Sequence, residues 1–126
     1  MPSTEDFHID TLNAPSGARI FRLIGPLTLQ SLFHFQEQVR LENTKSIILD
    51  LTSVAYMDSA GLGSVIGAFV SCQRTERGFA IAGTSDRVNT LFMVAHVNGV
   101  LPCFNSLEAA ENSLKPASAR AASPAS

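Results

Sequence analysis

A chain of 126 residues has room for one domain with a core that needs no disulfide or metal to hold it together. With 45% hydrophobic and 16% charged residues, the composition is that of a globular protein and excludes an intrinsically disordered one. The net charge is −2 and the nine basic residues are scattered, so the electrostatic footprint of a nucleic-acid-binding protein is missing.

The cysteines and the lengths of the apolar runs indicate the cellular compartment in which the protein works. Cys72 and Cys103 lie far apart in apolar runs, which predicts buried free thiols in a reducing compartment and leaves a disulfide as the alternative. There is no CxxC motif and no paired histidine, so no metal site or cofactor is predicted. Residues 1–6 lack the charged and apolar regions of a signal peptide, and the longest apolar stretch, 60–72, is shorter than the ~20 residues that span a bilayer. We therefore expect a cytoplasmic protein that does not insert into a membrane.

Two strands and a helix open the predicted fold. Alternating apolar and polar residues over 7–11 predict a half-buried strand, and turn residues at 13–17 lead into a second strand over 18–24. Thr28 is the predicted N-cap of a helix that runs to about residue 42. The apolar stripe of this helix is predicted to consist of Leu29, Leu32, Phe35 and Val39.

The middle of the chain combines a buried strand with a long helix. The run 46–51 reads Ser-Ile-Ile-Leu-Asp-Leu, and such unbroken apolar runs are typical of a strand covered on both faces at the centre of a parallel sheet. After a loop, a second helix is predicted over 59–77. One face of this helix carries Leu62, Val65, Ile66, Phe69 and Cys72.

The last third repeats the alternation of strand and helix. Residues 79–82 predict a short buried strand, which Gly83 stops, and a helix capped at residue 84 or 85 follows it. Residues 100–104 predict a final strand at a sheet edge, because Pro102 cannot donate to a ladder. A closing helix capped at residue 105 or 106 follows. The apolar positions of these two helices are Val88, Leu91, Phe92 and Ala95 in the first and Leu107, Ala110 and Leu114 in the second.

The predicted order of elements is ββαβαβαβα, which indicates an α/β domain with a mixed, mostly parallel sheet of about five strands and four helices. Periodicity leaves open whether the helices cover one face of the sheet or both. Residues 1–114 form the predicted domain. Residues 115–126 contain mostly Ala, Ser and Pro and are predicted to be a disordered tail.

Catalytic constellations are missing from the sequence. His8, His34 and His96 have no carboxylate or nucleophile at a catalytic spacing, which predicts that they are surface or boundary residues. A Gly-x-Ser-x-Gly nucleophile elbow would need a glycine where Met57 stands, and Ser59 has no evident base. We therefore expect the protein not to be an enzyme.

A glycine-rich segment opens the second helix and leaves one enzyme alternative. From Gly61 to Gly67 the chain reads Gly-Leu-Gly-Ser-Val-Ile-Gly, which approximates a dinucleotide-binding loop. The third glycine comes one residue late, and the preceding strand ends near residue 51 rather than directly before the loop. A small nucleotide-binding enzyme using this segment remains an alternative function, and titration with nucleotides would test it.

The start of the second helix, Asp58-Ser59, carries the strongest functional signal. Its simplest interpretation is a helix cap, in which Asp or Ser accepts a backbone N–H. Gly61 and Gly63 cost roughly 1 kcal/mol each in a helix relative to Ala, and packing against the sheet is one explanation for them. Gly63, Gly67 and Val70 share a face of small side chains on which another backbone can come close. A serine at a helix N-terminus also suits a phosphate, because the helix dipole and the free N–H groups stabilise its charge.

These motifs resemble those of the STAS domain family (sulfate transporter and anti-sigma factor antagonist). The similarity lies in the strand Ile-Ile-Leu-Asp-Leu, the loop with Val54 and Met57, and the run Asp58-Ser59-Ala60-Gly61-Leu62-Gly63. It covers about residues 7–114 in element order. The resemblance implies a stand-alone bacterial anti-sigma factor antagonist with Ser59 as phosphoacceptor. Its unphosphorylated form would bind an anti-sigma factor that is itself a serine kinase, and a metal-dependent serine phosphatase would reset it.

The residues predicted to contact the partner are Asp58, Ser59, Gly61, Leu62 and Gly63. Family members often carry Gly-Glu-Leu-Asp after the second strand, whereas this chain has Pro26 and Thr28 at the two acidic positions and Ala60 in place of a second serine. A second alternative is therefore a STAS accessory subunit of a transport or stress-signalling complex that is never phosphorylated.

Overall fold

The computed structural model describes residues 7–114 of the chain. The predicted tail from residue 115 lies outside this range. The elements are, in chain order, β1 (His8–Asn13), β2 (Arg19–Ile24), α1 (Leu32–Leu41), β3 (Ser46–Ser53), α2 (Ser59–Arg74), β4 (Gly78–Thr84), α3 (Asp86–Val94), β5 (Cys103–Phe104) and α4 (Leu107–Ser113).

The five strands form one sheet in the order β1-β2-β3-β4-β5. β1 pairs antiparallel with β2, and each of the other pairs is parallel. The predicted mixed, mostly parallel sheet with its hairpin start is confirmed. β3 lies at the centre, and Ile48 is only 1% exposed, as the apolar run predicted.

The helices cover both faces of the sheet, but unequally. Alternate residues of a strand point to opposite faces. Leu49 and Ile81 join the larger core together with α1, α2 and α3. Ile48 and Ala80 point the other way and join a smaller, alanine-rich core with Ala110 of α4. This arrangement answers the question that periodicity left open.

The first helix begins three residues later than predicted. The chain turns at 28–31, where the Thr28 N–H donates to the Ser31 hydroxyl oxygen at 2.9 Å and the Ser31 hydroxyl donates to the Pro26 carbonyl at 2.8 Å. Thr28 therefore belongs to the turn and is not the N-cap, which is Ser31. Leu29 is 60% exposed rather than part of the apolar stripe.

The second helix ends three residues earlier than predicted. Glu76 has φ +58°, the left-handed conformation that terminates helices. The N–H groups of Glu76 and Arg77 then donate to the carbonyls of Gln73 and Cys72. This pair of bonds is a Schellman motif, which a glutamate occupies here instead of the usual glycine.

Two smaller expectations are corrected and one is confirmed. β4 continues through Gly83 to Thr84 rather than stopping at the glycine. Both cysteines are free, but Cys72 alone is buried, whereas Cys103 is exposed because it lies on the short edge strand β5. Burial raises the pKa of the Cys72 thiol. The edge position of β5 is as predicted, and Pro102 contributes its carbonyl to Ile81 N–H at 2.8 Å.

Candidate functional site

The loop between β3 and α2, residues 54–58, is anchored from three directions. Val54 and Met57 are buried in the larger core. Met57 forms an isolated parallel bridge with Leu27, whose N–H donates to the Tyr56 carbonyl at 3.0 Å. The Ser85 hydroxyl, at the start of α3, donates to the Val54 carbonyl at 2.9 Å. These contacts fix the position of the loop and therefore of the first residues of α2.

Asp58 is the N-cap of α2. One carboxylate oxygen accepts the Gly61 N–H at 2.8 Å, the capping bond. The other oxygen accepts the Leu29 N–H at 3.1 Å, which ties the turn before α1 to the start of α2. Both oxygens of this side chain are thus engaged by backbone groups from two segments that are far apart in sequence.

Ser59 is the first residue of α2, and its side chain is exposed. Within residues 7–114 its hydroxyl has no hydrogen-bond partner, because the capping role falls to Asp58. Two neighbouring serines differ from it, since Ser31 and Ser64 are buried and their hydroxyls donate to carbonyls. Of these three serines, Ser59 is therefore the one whose hydroxyl is exposed and unbonded, so that a modifying enzyme could reach it.

The glycines of α2 fall into two groups. A Cβ atom on Gly61 would lie 2.0 Å from the Leu27 carbonyl oxygen, so this glycine is required by close packing within the chain. Gly63 and Gly67 are exposed, and a Cβ atom on either would meet no atom within 4 Å. Close packing against Leu27, in the segment that follows β2, therefore explains Gly61, and no such contact explains Gly63 or Gly67.

The five residues predicted to contact a partner occupy different environments. Ser59 and Gly63 lie on the surface, and Asp58 is half-buried with both oxygens engaged. Gly61 and Leu62 are buried, and Leu62 is only 6% exposed within the larger core. The accessible part of the motif is thus the side of α2 that carries Ser59 and Gly63.

A depression beside Ser59 was not anticipated from the sequence. It has a volume of about 570 Å³ and is lined by Pro26, Thr28, Leu29, Gln30, Tyr56 and Asp58; we call it the Leu29–Tyr56 depression. The guanidinium of Arg87 lies 5.1 Å from the centroid of the Tyr56 ring, a cation–π contact. The one available signal was Leu29, an apolar residue three positions after the Gly25-Pro26 pair that ends the hairpin. Periodicity assigned it to the helix stripe instead.

The described residues offer little support for an enzyme site. All three histidines are exposed, as predicted, and the ring of His34 packs edge-on against Phe7. Residues 54–58 separate β3 from α2, so the glycine segment does not directly follow a strand as a dinucleotide loop does. No group of three potential metal ligands occurs among residues 7–114.

The described part of the chain, residues 7–114, contains four helices. None of its four helices is long and apolar enough to span a bilayer.

Known proteins resemble this chain in both sequence and fold. The family model described as the STAS domain matches residues 11–110. The chain is 39% identical over 57 residues to an anti-sigma-B factor antagonist of Listeria monocytogenes, a match that covers 45% of this chain and 50% of that protein. It is 30% identical over 74 residues to the anti-sigma-B factor antagonist of Staphylococcus aureus, covering 59% of this chain and 68% of that protein. The match thus spans about half the length of the Listeria relative.

Solved structures share the fold at low sequence identity. The crystal structure of an anti-sigma factor antagonist from Mycobacterium paratuberculosis superposes with a TM-score of 0.80 at 12% identity, covering 92% of this chain and all of that one. The Bacillus cell fate determinant SpoIIAA, solved in its phosphorylated form, superposes with a TM-score of 0.66 at 15% identity, covering 84% of this chain and 99% of that one.

Proposed function

Because this chain belongs to the STAS domain family, we propose that it is an anti-sigma factor antagonist that is switched by phosphorylation of Ser59. The observation that carries the proposal is that two adjacent residues at the start of α2 have different roles. Asp58 caps the helix, and the exposed Ser59 hydroxyl has no hydrogen-bond partner within residues 7–114. The names of the two sequence relatives support the antagonist role. A binding role of this kind requires no catalytic group.

The helix start suits a phosphorylated serine. The N–H groups of Ser59 and Ala60 belong to the first turn of α2, where N–H groups have no intrahelical partner. These groups and the positive end of the helix dipole stabilise a phosphate of charge about −1.5 to −2. Modification therefore changes the surface charge strongly while the fold persists.

The same phosphate would oppose complex formation. When the partner covers the start of α2, water is removed from whatever Ser59 carries. A hydroxyl needs one hydrogen bond there, whereas a dianion beside Asp58 needs a matching cation. Burying an unpaired charge costs several kcal/mol. A loss of ~2–4 kcal/mol weakens binding roughly thirty- to a thousand-fold.

The proposed partners follow from this switch. The unphosphorylated form binds an anti-sigma factor, which is also the kinase of Ser59, and so frees the sigma factor. A serine phosphatase restores the binding form. These proteins act on transcription, so we place the antagonist in the cytoplasm.

The test is a capture experiment followed by calorimetry. The Ser59→Ala and Ser59→Asp proteins serve as baits in a lysate of the source cells, and mass spectrometry identifies the bound proteins. We expect Ser59→Ala to retain an anti-sigma factor with a kinase domain and Ser59→Asp to retain much less of it. The purified anti-sigma factor is then titrated with unphosphorylated, phosphorylated and Ser59→Ala protein.

The control for the kinase step is the Ser59→Ala protein incubated with the same partner and ATP. Intact-mass analysis should show one added phosphate on the wild-type protein and none on the variant. If all three forms bind with equal affinity, Ser59 is no switch, and the accessory-subunit alternative replaces this proposal.

A further inference from the structure

The Leu29–Tyr56 depression places exposed apolar groups next to Ser59. Leu29 is 60% exposed and Tyr56 is 43% exposed, and they lie on two different segments that Asp58 joins. Exposed apolar groups that line one depression, as these two do, mark interaction sites more often than isolated ones do.

The inside of the depression carries a single carboxylate, Asp58, and no basic group. Among its lining residues only Asp58 is ionisable at neutral pH, and both of its carboxylate oxygens already accept backbone N–H groups. The remaining lining consists of Pro26, Leu29, Tyr56 and the neutral side chains of Thr28 and Gln30. The lining favours an apolar occupant over an anionic one, because an anion would lose its hydration beside the Asp58 carboxylate without gaining a counterion.

The rim carries one charge without a counterion. Arg87 is exposed and stacks on the Tyr56 ring, and no carboxylate within residues 7–114 forms a salt bridge with it. Tyrosine and arginine are enriched among the residues that dominate binding energy at protein interfaces. A carboxylate on a partner would complement Arg87 at this position.

We propose that the Leu29–Tyr56 depression receives an apolar side chain of the anti-sigma factor, and that a neighbouring carboxylate of that factor pairs with Arg87. The inference rests on the proposed function, since it assigns partner chemistry to the surface beside Ser59. The occupant is a protein side chain rather than a small molecule, because Leu29, Tyr56 and the Arg87 guanidinium on the Tyr56 ring are all exposed and a partner surface would cover them together.

The test compares two variants with a matched control, all in the Ser59→Ala background. The probe is the purified anti-sigma factor, and calorimetry measures its Kd for each protein. Leu29→Ser removes the apolar contact and Arg87→Glu reverses the charge. Both residues are exposed, so we expect neither change to alter the melting temperature by more than about 2 °C.

The control is Val100→Ser. Val100 is 61% exposed and precedes β5, at the end of the sheet where the parallel strands begin, whereas Ser59 follows the end of β3. We expect Leu29→Ser and Arg87→Glu each to weaken binding at least ten-fold and Val100→Ser to leave the Kd unchanged.

The two proposals fail in different ways. If Ser59→Asp weakens binding but Leu29→Ser and Arg87→Glu bind like the control, the depression is not part of the interface and this inference is overturned. If Ser59→Asp binds as well as Ser59→Ala, the switch fails, and the loss in Leu29→Ser relative to Val100→Ser still decides the inference.

Discussion

The inner and outer sides of α2 use glycine for opposite reasons. On the inner side, the missing side chain of Gly61 lets the Leu27 carbonyl approach to a point that a Cβ atom would occupy, 2.0 Å from the oxygen. On the outer side, Gly63 and Gly67 face open space and give the free protein no packing benefit. Since each exposed glycine costs a helix roughly 1 kcal/mol, the outer glycines reduce the stability of the free protein. Within one helix, Gly61 is therefore required for packing inside the fold, whereas Gly63 and Gly67 leave the helix surface free of side chains.

The largest effect on stability should come from the inner side. Gly61→Ala places a methyl group against the Leu27 carbonyl, a backbone atom that cannot move without disturbing the bridge to Met57. We expect the free energy of unfolding to fall by about 1–3 kcal/mol. Urea denaturation of this variant and wild type measures the change. An unchanged midpoint would show that the turn at Leu27 yields freely.

Asp58 should rank second, because it connects the two segments. Asp58→Ala removes both the helix cap and the bond to the Leu29 N–H, and we expect a loss of about 1–2 kcal/mol. Asp58→Asn separates the two roles, since asparagine caps helices as well as aspartate but has only one side-chain oxygen. We expect the asparagine variant to lose less than the alanine variant. If the asparagine variant is as stable in urea as wild type, the bond to the Leu29 N–H contributes nothing, and equal losses in the two variants would mean that the cap contributes nothing.

The outer side should respond in the opposite direction. Gly63→Ala meets no atom within 4 Å and should stabilise the free protein by about 0.4–1 kcal/mol. Gly61→Ala, two residues away, is its matched comparison. Thermal melts of both variants should move in opposite directions from wild type. If Gly63→Ala lowers the melting temperature, the outer side has an intramolecular role that the geometry does not show.

The smallest effect on stability is expected at Ser59. Ser59→Asp places a negative charge at the N-terminus of α2, where the helix dipole favours it by about 0.3–1 kcal/mol, while the neighbouring Asp58 opposes it. We expect the melting temperature to stay close to that of wild type although binding to the anti-sigma factor weakens. Differential scanning calorimetry provides the check. A marked loss of stability would show that weakened binding reflects partial unfolding.

The sequence alone determined the order of the elements, the mostly parallel sheet and the central place of β3. These follow from local periodicity, and an unbroken apolar run such as 46–51 has few alternatives to a strand covered on both faces. The helix boundaries could not be predicted as well from the sequence. Ser31 and Glu76 decide the start of α1 and the end of α2 through a turn bond and a left-handed φ that periodicity does not report.

At the start of α2, the sequence narrowed the choice and the tertiary structure decided it. Both Asp58 and Ser59 are suitable cap residues by type. Asp58 holds the extended N-cap conformation, because Leu27 pairs with Met57 and the Leu29 N–H engages the second carboxylate oxygen. Contacts from a segment about thirty positions earlier in the chain thus assign the cap to Asp58, leave the Ser59 hydroxyl exposed and place Gly61 inside. Such contacts depend on how distant segments meet, which local sequence patterns do not encode.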